Sequence, residues 1–515
     1  MTNVFKLKPS PKIFKNYKSE FPAKTILRCK KSLARLGINL KNLKYEEEKI
    51  GKDFLIYGGR LTYNNHYISS GKGITHQLSE ASAYAESIER IPFNISPLIS
   101  YLKLKRDFES CSDFSGYIYG SQKEIKNTIE IKKFFTYFPL LKINRIERSN
   151  LAQHWIQAFS LTENKYKKVP HLLIKQISGS NGGAAGNTLE EAITQAFYEI
   201  CERHSLIEHV INKLSAPTVD PTTIKNENIQ KAIELFNSMN IDVEIKDLTL
   251  GNKIPVMGIL FTNQNLAHEK NTLKKKMFYR TLHAGSHLDL NQAIMRCFTE
   301  EWQLANLNIH YFMYHPEFNI VDAYFSQNEK MKVIHKLRGD YAPLISTNRS
   351  FENFNFLNKH SPTISLNALS SYDTADFLED IKIIKDISKK NGWETLIMNY
   401  SIPELPLKIV RVVIPSISDI LRYNYPNQEK ITEFPKKREA LLLDDFLLNK
   451  GADVKKLVSA AENALVEKII TPYPTLQFLK YSPFELLNIL KSSYLRLDDQ
   501  KKYHRIDDLC RHYSE

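Results

Sequence analysis

The chain has 515 residues, enough for two to four domain-sized units or one large enzyme with an appendage. Its 42% hydrophobic and 25% charged residues are the proportions of a soluble globular protein, and no apolar run approaches the roughly 20 residues that cross a bilayer, so no membrane span is expected. A formal charge of +14, from 71 Lys+Arg against 57 Asp+Glu, suits an anionic partner such as nucleic acid or an acidic peptide; the basic residues are thinly spread and form no nucleic-acid-binding motif, so nucleic acid is disfavoured.

In chain order, residues 1–64 read as a basic lead-in. Its first stretch, "MTNVFKLKPSPKIFKNYKSEF", has lysines but no apolar core, so no secretory signal is expected and the expected location is cytoplasmic. "KTILRCKKSLARLGINL" sets Ile26, Leu27, Leu33 and Leu36 near helical spacing, with Gly37 as a stop. "DFLIYGGRLTY" and "HYISSGKG" read as short strands, the second ending in a glycine-containing loop, "SSGKG". The helix "HQLSEASAYAESIERI" follows. Residues 155–177 read as a hairpin, and "SGSNGGAAG" as a Gly-rich loop leading into the helix "NTLEEAITQAFYEICERHS". "DVEIKDLTLGNKIPVMGILF" reads as strand, turn, strand. "LDLNQAIMRCFTEEWQLANL" is a further helix with Asp289 as N-cap, and "IVRVVIPSI" a buried strand. Beyond a central domain of residues 65–430, residues 431–515 read as an appendage of amphipathic helices broken by "TPYP". The five cysteines, Cys29, Cys111, Cys201, Cys297 and Cys510, form no CxxC pair, so neither a disulfide framework nor a cysteine zinc site is expected.

Three of these helices share one chemistry. Asn187, Glu191, Gln195 and Glu199 recur at four-residue steps, then Glu202 and Arg203, so they form one polar stripe with Ile193, Ala196, Phe197 and Ile200 on other sides. Stacked acids repel unless something positive sits against them. An earlier helix carries Ser82, Glu86, Glu89 and Arg90, repeating the E-x2-E-R ending, and the later one carries Arg296, Glu300 and Gln303. The plain alternatives are surface ion pairs and an N-cap at Asn187. Several glutamates in one cavity suit Mg²⁺, which takes oxygen ligands and bridges substrate phosphates, and nearby arginines suit phosphate. Lys72, inside "GKG", is a further phosphate candidate; G-x-x-x-x-G-K-[ST] is absent.

The segments "SAYAESIER", "NTLEEAITQAFYEICER" and "RCFTE", with "WIQAFSL", "DLTLGNKIPVMG" and "IVRVVIP", closely resemble the YcaO family over about residues 65 to 420. The resemblance implies an α+β fold of mixed β-sheets, with helices carrying a Mg-ATP site. It implies Glu86, Glu89, Glu199 and Glu202 as Mg²⁺ ligands and Ser82, Asn187, Glu191, Arg203, Arg296 and Glu300 as nucleotide contacts. Gln195 lies on the same face, and Lys24 is matched to a family lysine near the nucleotide. The implied chemistry is ATP-dependent phosphorylation of a peptide amide oxygen after a nucleophile has added to the carbonyl. A neighbouring Cys, Ser or Thr then gives an azoline, and external sulfide a thioamide. The substrate would be a ribosomally made precursor peptide or a small-molecule amide. Azoline-forming members often end in Pro-x-Pro-x-Pro, whereas this sequence ends "DLCRHYSE", and the cysteine pattern does not supply a fused zinc-binding clamp. A separate leader-binding or sulfur-delivery protein is therefore expected, and a homodimer is compatible. The leading expectation is cyclodehydration; the alternatives are thioamide formation or small-molecule thionation, and a non-catalytic accessory ATP-binding protein.

Overall fold

The structure, a computed structural model, describes most of residues 5–95, 154–314 and 354–418, together with residues 117–119 and single positions between 491 and 504. Three antiparallel strands come first: β1 (Leu43–Ile50), β2 (Ile56–Tyr63) and β3 (His66–Gly73), in the order β1-β2-β3. A five-stranded sheet has the order β11 (Arg280–Ser286), β10 (Val256–Asn263), β9 (Ile241–Asp247), β8 (Thr218–Val219), β12 (Thr363–Ile364), and only β12–β8 is parallel. A six-stranded sheet runs β4 (Tyr117–Tyr119), β5 (His154–Ser160), β13 (Leu396–Asn399), β14 (Lys408–Val413), β7 (Gly183–Gly186), with β6 (Lys165–Pro170) added on β5. The fold is thus α+β, as expected, with the five-stranded sheet mixed and the other two antiparallel.

Six α-helices are described: α1 (Pro22–Arg35), α2 (His76–Ile95), α3 (Leu189–Asn212), α4 (Glu227–Ser238), α5 (Leu290–Tyr314) and α6 (Phe377–Lys390). The central one is α3. It packs on β7 and β14 of the six-stranded sheet and on β10 and β11 of the five-stranded sheet, with α6 beside it. Its apolar side chains Ile193, Ala196, Phe197 and Ile200 are fully buried. Burial of these apolar groups leaves the polar stripe as the one face of α3 still free to make a site. A second core lies under α4, β10 and α5, where Phe236, Phe261 and Phe298 meet with ring centroids 5.0, 5.5 and 5.8 Å apart.

The same unit occurs three times: a strand, a connection of two or three residues, then a glutamate-bearing helix. β3 leads into α2, β7 into α3, and β11 into α5. In each, a glycine lets the helix backbone sit against the strand. A Cβ at Gly71 would lie 1.9 Å from Ser79 O, one at Gly186 2.6 Å from Ala192 N, and one at Gly285 2.2 Å from Ala293 O. This corrects the reading of "SSGKG" and of the "GAAG" end of the Gly-rich segment as loops. Both are strand, and their glycines serve helix packing, so Gly71 and Gly73 beside Lys72 are spoken for by α2.

The hairpin at 155–177 is present as β5 and β6, turning through Asn164 at φ 54°, a left-handed conformation that Asn tolerates; most of 171–177 lies outside the described residues. Position 64 does not coincide with a break in the fold, because β1 and β2 hydrogen-bond into one sheet with β3. The helices expected for 431–515 lie outside the described residues apart from single positions, as do Cys111 and Cys510; Cys29, Cys201 and Cys297 are free and buried. Among the described residues no helix is long and apolar enough to cross a membrane.

Gly71→Ala is expected to push α2 off β3 and cost roughly 1–3 kcal/mol, the range for overpacking a tight contact. Gly251→Ala, where an added Cβ meets nothing within 4 Å, is the neutral control. Thermal unfolding of both variants checks this.

Candidate functional site

The E-x2-E-R spacing has a structural reason. In each copy the first glutamate and the arginine are four residues apart, one helical turn, and they pair: Glu86 with Arg90 on α2, and Glu199 with Arg203 on α3 at 2.9 Å. The second glutamate, Glu89 or Glu202, lies outside that intrahelical pair. Glu202 is met from the third helix by Arg296 at 3.3 Å, and the same guanidinium donates to Gln195 Oε1 at 2.9 Å. Glu300, one turn after Arg296, pairs with Lys72 on β3. Glu86 also accepts the Ser70 N–H of β3 at 3.0 Å, and Ser82 lies one turn before it on the same face of α2. The structure therefore brings Lys72, Glu86, Glu89, Gln195, Glu199, Glu202, Arg203, Arg296 and Glu300 into one polar cluster where α2, α3 and α5 converge.

Asn187 and Glu191 sit further along, at the start of α3. The N-cap is Thr188, whose hydroxyl accepts the Glu191 N–H at 3.2 Å, so the alternative of Asn187 as cap is set aside. Asn187 instead donates its backbone N–H to Glu191 Oε2 at 3.1 Å and accepts from Thr25 Oγ1 at 2.9 Å. At α5 the cap is Asp289, as expected, accepting from Asn291 N at 2.8 Å.

Lys24 does not join this cluster. It pairs with Glu20 at 2.6 Å on the outer side of α1, and its side chain is 63% exposed. Lys18 and Ser19 reach the stripe instead: Lys18 Nζ lies 3.3 Å from Glu191 Oε1, and Ser19 donates to Glu191 Oε2 at 2.5 Å. Sequence reasoning missed both, with Thr25. Pro22 at the first position of α1 marks where the helix begins and so leaves Lys18 just ahead of it, but no periodicity tells that the preceding segment folds back.

Electrostatics mark the cluster as crowded with negative charge. Burial and the neighbouring carboxylates of Glu199 and Glu86 push the Glu89 carboxyl up to about 8. Glu199 is also raised, by burial and by Glu202, against the pull of Arg203. Burial and the Arg296 charge bring the Lys72 ammonium down to about 8. Among the described residues no three His, Cys, Asp or Glu side chains enclose a ready metal cage. The donor set nevertheless fits Mg²⁺ with a polyphosphate. Mg²⁺ takes only one or two carboxylates directly and keeps waters and phosphate oxygens for the rest. Burial first, and then the neighbouring carboxylates, raise Glu89 and Glu199, and a divalent cation would relieve the crowding of charge. Arg296 Nε is buried and has no hydrogen-bond partner among the described residues, a donor suited to an anionic oxygen.

A family model described as YcaO cyclodehydratase, ATP- and Mg²⁺-binding, matches residues 70–418. A protein of Methanothermobacter thermautotrophicus, itself uncharacterised, is 21% identical over 362 residues, which is 68% of this chain and 81% of that one. Among solved structures, a heterocyclase in complex with substrate and cofactor superposes with a TM-score of 0.56 at 20% identity, over 80% of this chain and 54% of its own. A YcaO protein from Methanopyrus kandleri bound with AMPPCP and Mg²⁺ superposes with a TM-score of 0.51 at 15% identity, over 79% of this chain and 94% of its own. These likenesses concern the fold, and the chain spans about half of the heterocyclase chain.

The raised Glu89 carboxyl gives a pH signature with a definite sign. An unfolded glutamate titrates near 4.3, roughly, and the folded one at about 8. Between these values the folded state holds a proton that the unfolded state lacks, so stability declines as pH rises through the window. Lys72, lowered to about 8, adds pH dependence only above that point, and there in the opposite sense. Because the lowered His209 and His287 act in the opposite sense below about 6.5, the decline is read as a difference: urea unfolding of ligand-free protein from pH 5 to 8 is expected to show wild type losing stability relative to Glu89→Gln as pH rises.

Proposed function

The chain belongs to the YcaO family, whose cofactors are ATP and Mg²⁺, and from that premise we propose that it activates a peptide backbone amide by O-phosphorylation, as an azoline-forming cyclodehydratase acting on Cys, Ser or Thr of a ribosomally synthesised peptide. The observation that carries the reading is the joining of α5 to α3 through Arg296, which bonds Gln195 and Glu202 while its Nε stays available, with Glu300 of the same helix paired to Lys72 on the strand that leads into α2.

In this reading Glu86, Glu89, Glu199 and Glu202 hold Mg²⁺, while Ser82, Asn187, Glu191, Gln195, Arg203, Arg296, Lys72 and Glu300 line the nucleotide. Bound ATP with Mg²⁺ supplies the phosphoryl group that turns an amide oxygen, a poor leaving group, into phosphate, a good one. The chain's own contribution is orientation and charge. Arg203 and Arg296 are fixed by their carboxylate partners, so both guanidinium groups are oriented, and Arg296 Nε aimed, before the ligand arrives. Lys72, brought down to about 8, can hold or give up a proton at Nζ. The core packing of α3 on both sheets keeps these groups from relaxing apart. The catalytic unit is residues 65–430 with the N-terminal strands tied to it, followed by the 431–515 appendage; a separate leader-binding protein delivers the peptide in the cytoplasm.

The test is Mg²⁺-dependent ATP binding by titration calorimetry to the wild type and to Glu199→Gln. At least a tenfold loss in the variant, about 1.4 kcal/mol, is expected; equal binding overturns the site assignment. With ATP and a precursor peptide, loss of one water per ring supports cyclodehydration, and exchange of oxygen for sulfur supports the thioamide chemistry instead.

A further inference from the structure

Lys18 and Ser19 reach Glu191 on a segment that is anchored at two helix starts, that of α3 beside the site and that of α6 away from it. Lys8 N donates to Glu190 Oε1 at 2.7 Å, and the Ser10 hydroxyl lies 2.7 Å from that of Thr188, the cap of α3. Ser10 N donates to both carboxylate oxygens of Asp376, the cap of α6, at 2.8 and 2.9 Å, while Phe377 N donates to Ser10 O and Lys12 N to Ala375 O. The segment therefore straps across the starts of both helices. Lys12, like Ser10, is buried. Its ammonium lies 2.9 Å from Asp380 Oδ2 and 2.7 Å from Thr374 Oγ1, with side-chain exposures of 3% for Lys12 and 0% for Asp380. Asp380 also accepts from Tyr198 Oη on α3 at 3.4 Å, one residue before Glu199. After Lys12 the chain reverses through Lys15 at φ 46°, with Phe14 and Lys18 bridged backbone to backbone. Lys12 thus sits at the root of the short hairpin whose return limb carries Lys18 and Ser19.

We propose that the buried Lys12–Asp380 ion pair is a latch that positions Lys18 and Ser19 against Glu191 and so sets the affinity of the site for its nucleotide. The proposal rests on the reading of Asn187 and Glu191 as nucleotide contacts. Lys12 and Asp380 are positioning residues, acting through the strap. The physical argument concerns specificity of placement. A fully buried ion pair recovers little net stability over an apolar pair of similar size, but loss of one partner strands a charge in the interior. Strap release would relieve that charge in either case: Lys12 without Asp380 reaches water only by lifting the segment, and Asp380 without Lys12 reaches water only once the segment over it has lifted. The latch therefore converts a remote electrostatic contact into a fixed position for Lys18 and Ser19.

The experiment uses the full chain with Lys12→Met, with Asp380→Asn, which keeps the shape and folds should Lys12→Met fail to, and with the double change Lys12→Met/Asp380→Leu. Hydrogen exchange of residues 8–20 without nucleotide reports the strap, and calorimetry with Mg·ATP reports the site. Each single variant is expected to expose the strap to faster exchange and to weaken ATP binding at least tenfold. The double variant, with no stranded charge, is expected to restore protection and bring affinity to within about threefold of wild type. Lys18→Met should weaken binding with the strap still protected. A strap that stays protected in both single variants, or one that is released with affinity unchanged, overturns the proposal. Failure of the wild type to bind Mg·ATP sinks the functional reading instead, and exchange still decides whether Lys12 and Asp380 hold the strap.

Discussion

Repulsion between carboxylates is the constraint around which this structure is arranged. Buried Glu89 has the carboxylates of Glu199 and Glu86 near enough to hinder its ionisation, an arrangement that a protein built only for stability would avoid. It persists because the scaffold over-determines it. α3 is held by apolar packing on two sheets, and α2 and α5 are each seated on a strand at a glycine that admits no larger residue. The counter-charges are local: Arg90 and Arg203 sit one turn from their partners, and Arg296 and Lys72 reach across. Arg203 faces the carboxylates of Glu199, Glu202 and Glu89 together, and burial with the charges of Glu199 and Glu86 still pushes Glu89 up to about 8.

Much of this was legible in the sequence, for reasons that differ between elements. The polar stripe of α3 was readable because 3.6-residue periodicity turns a four-residue step into a face, and the buried face of Ile193, Ala196, Phe197 and Ile200 follows from the same geometry. β14 was readable from its β-branched run, and β9–β10 and β5–β6 from apolar runs around polar turns. β1 was not. "LKYEEEKI" carries three successive acids and its side chains are exposed or half-buried throughout, so neither apolar alternation nor an apolar run announces a strand; pairing with β2 makes it one.

The glycines were misread for a similar reason. A glycine-rich stretch before a helix is the mark of a phosphate-binding loop, and also of a strand against which a helix lies too closely for a Cβ. Local sequence does not separate the two; the partner atoms do, and here they are Ser79 O, Ala192 N and Ala293 O of the helices that follow. The third unit, β11 into α5, has a single glycine and gave no such signal, yet its construction is the same. Lys18 was hidden because its role depends on chain reversal near Lys15 and on contacts to residues more than 350 positions away, which no local pattern encodes.

The distribution of groups along α3 bears on what the site can hold. From Glu191 to Glu202 the helix rises about 16 Å, at 1.5 Å per residue. A single ion touches only one end of such a span. The two ends also differ in chemistry. The start offers Asn187 and Ser19 around the Glu191–Lys18 ion pair, a mix of donors and acceptors whose charges cancel. The far end offers carboxylates interleaved with Arg203, Arg296 and Lys72. An elongated ligand with a neutral hydrogen-bonding end and a polyanionic end, carried with a divalent cation, matches both. The carboxylates at the anionic end repel such a ligand unless the cation accompanies it, so binding of the anion and of Mg²⁺ should be mutually dependent: each neutralises what would otherwise exclude the other.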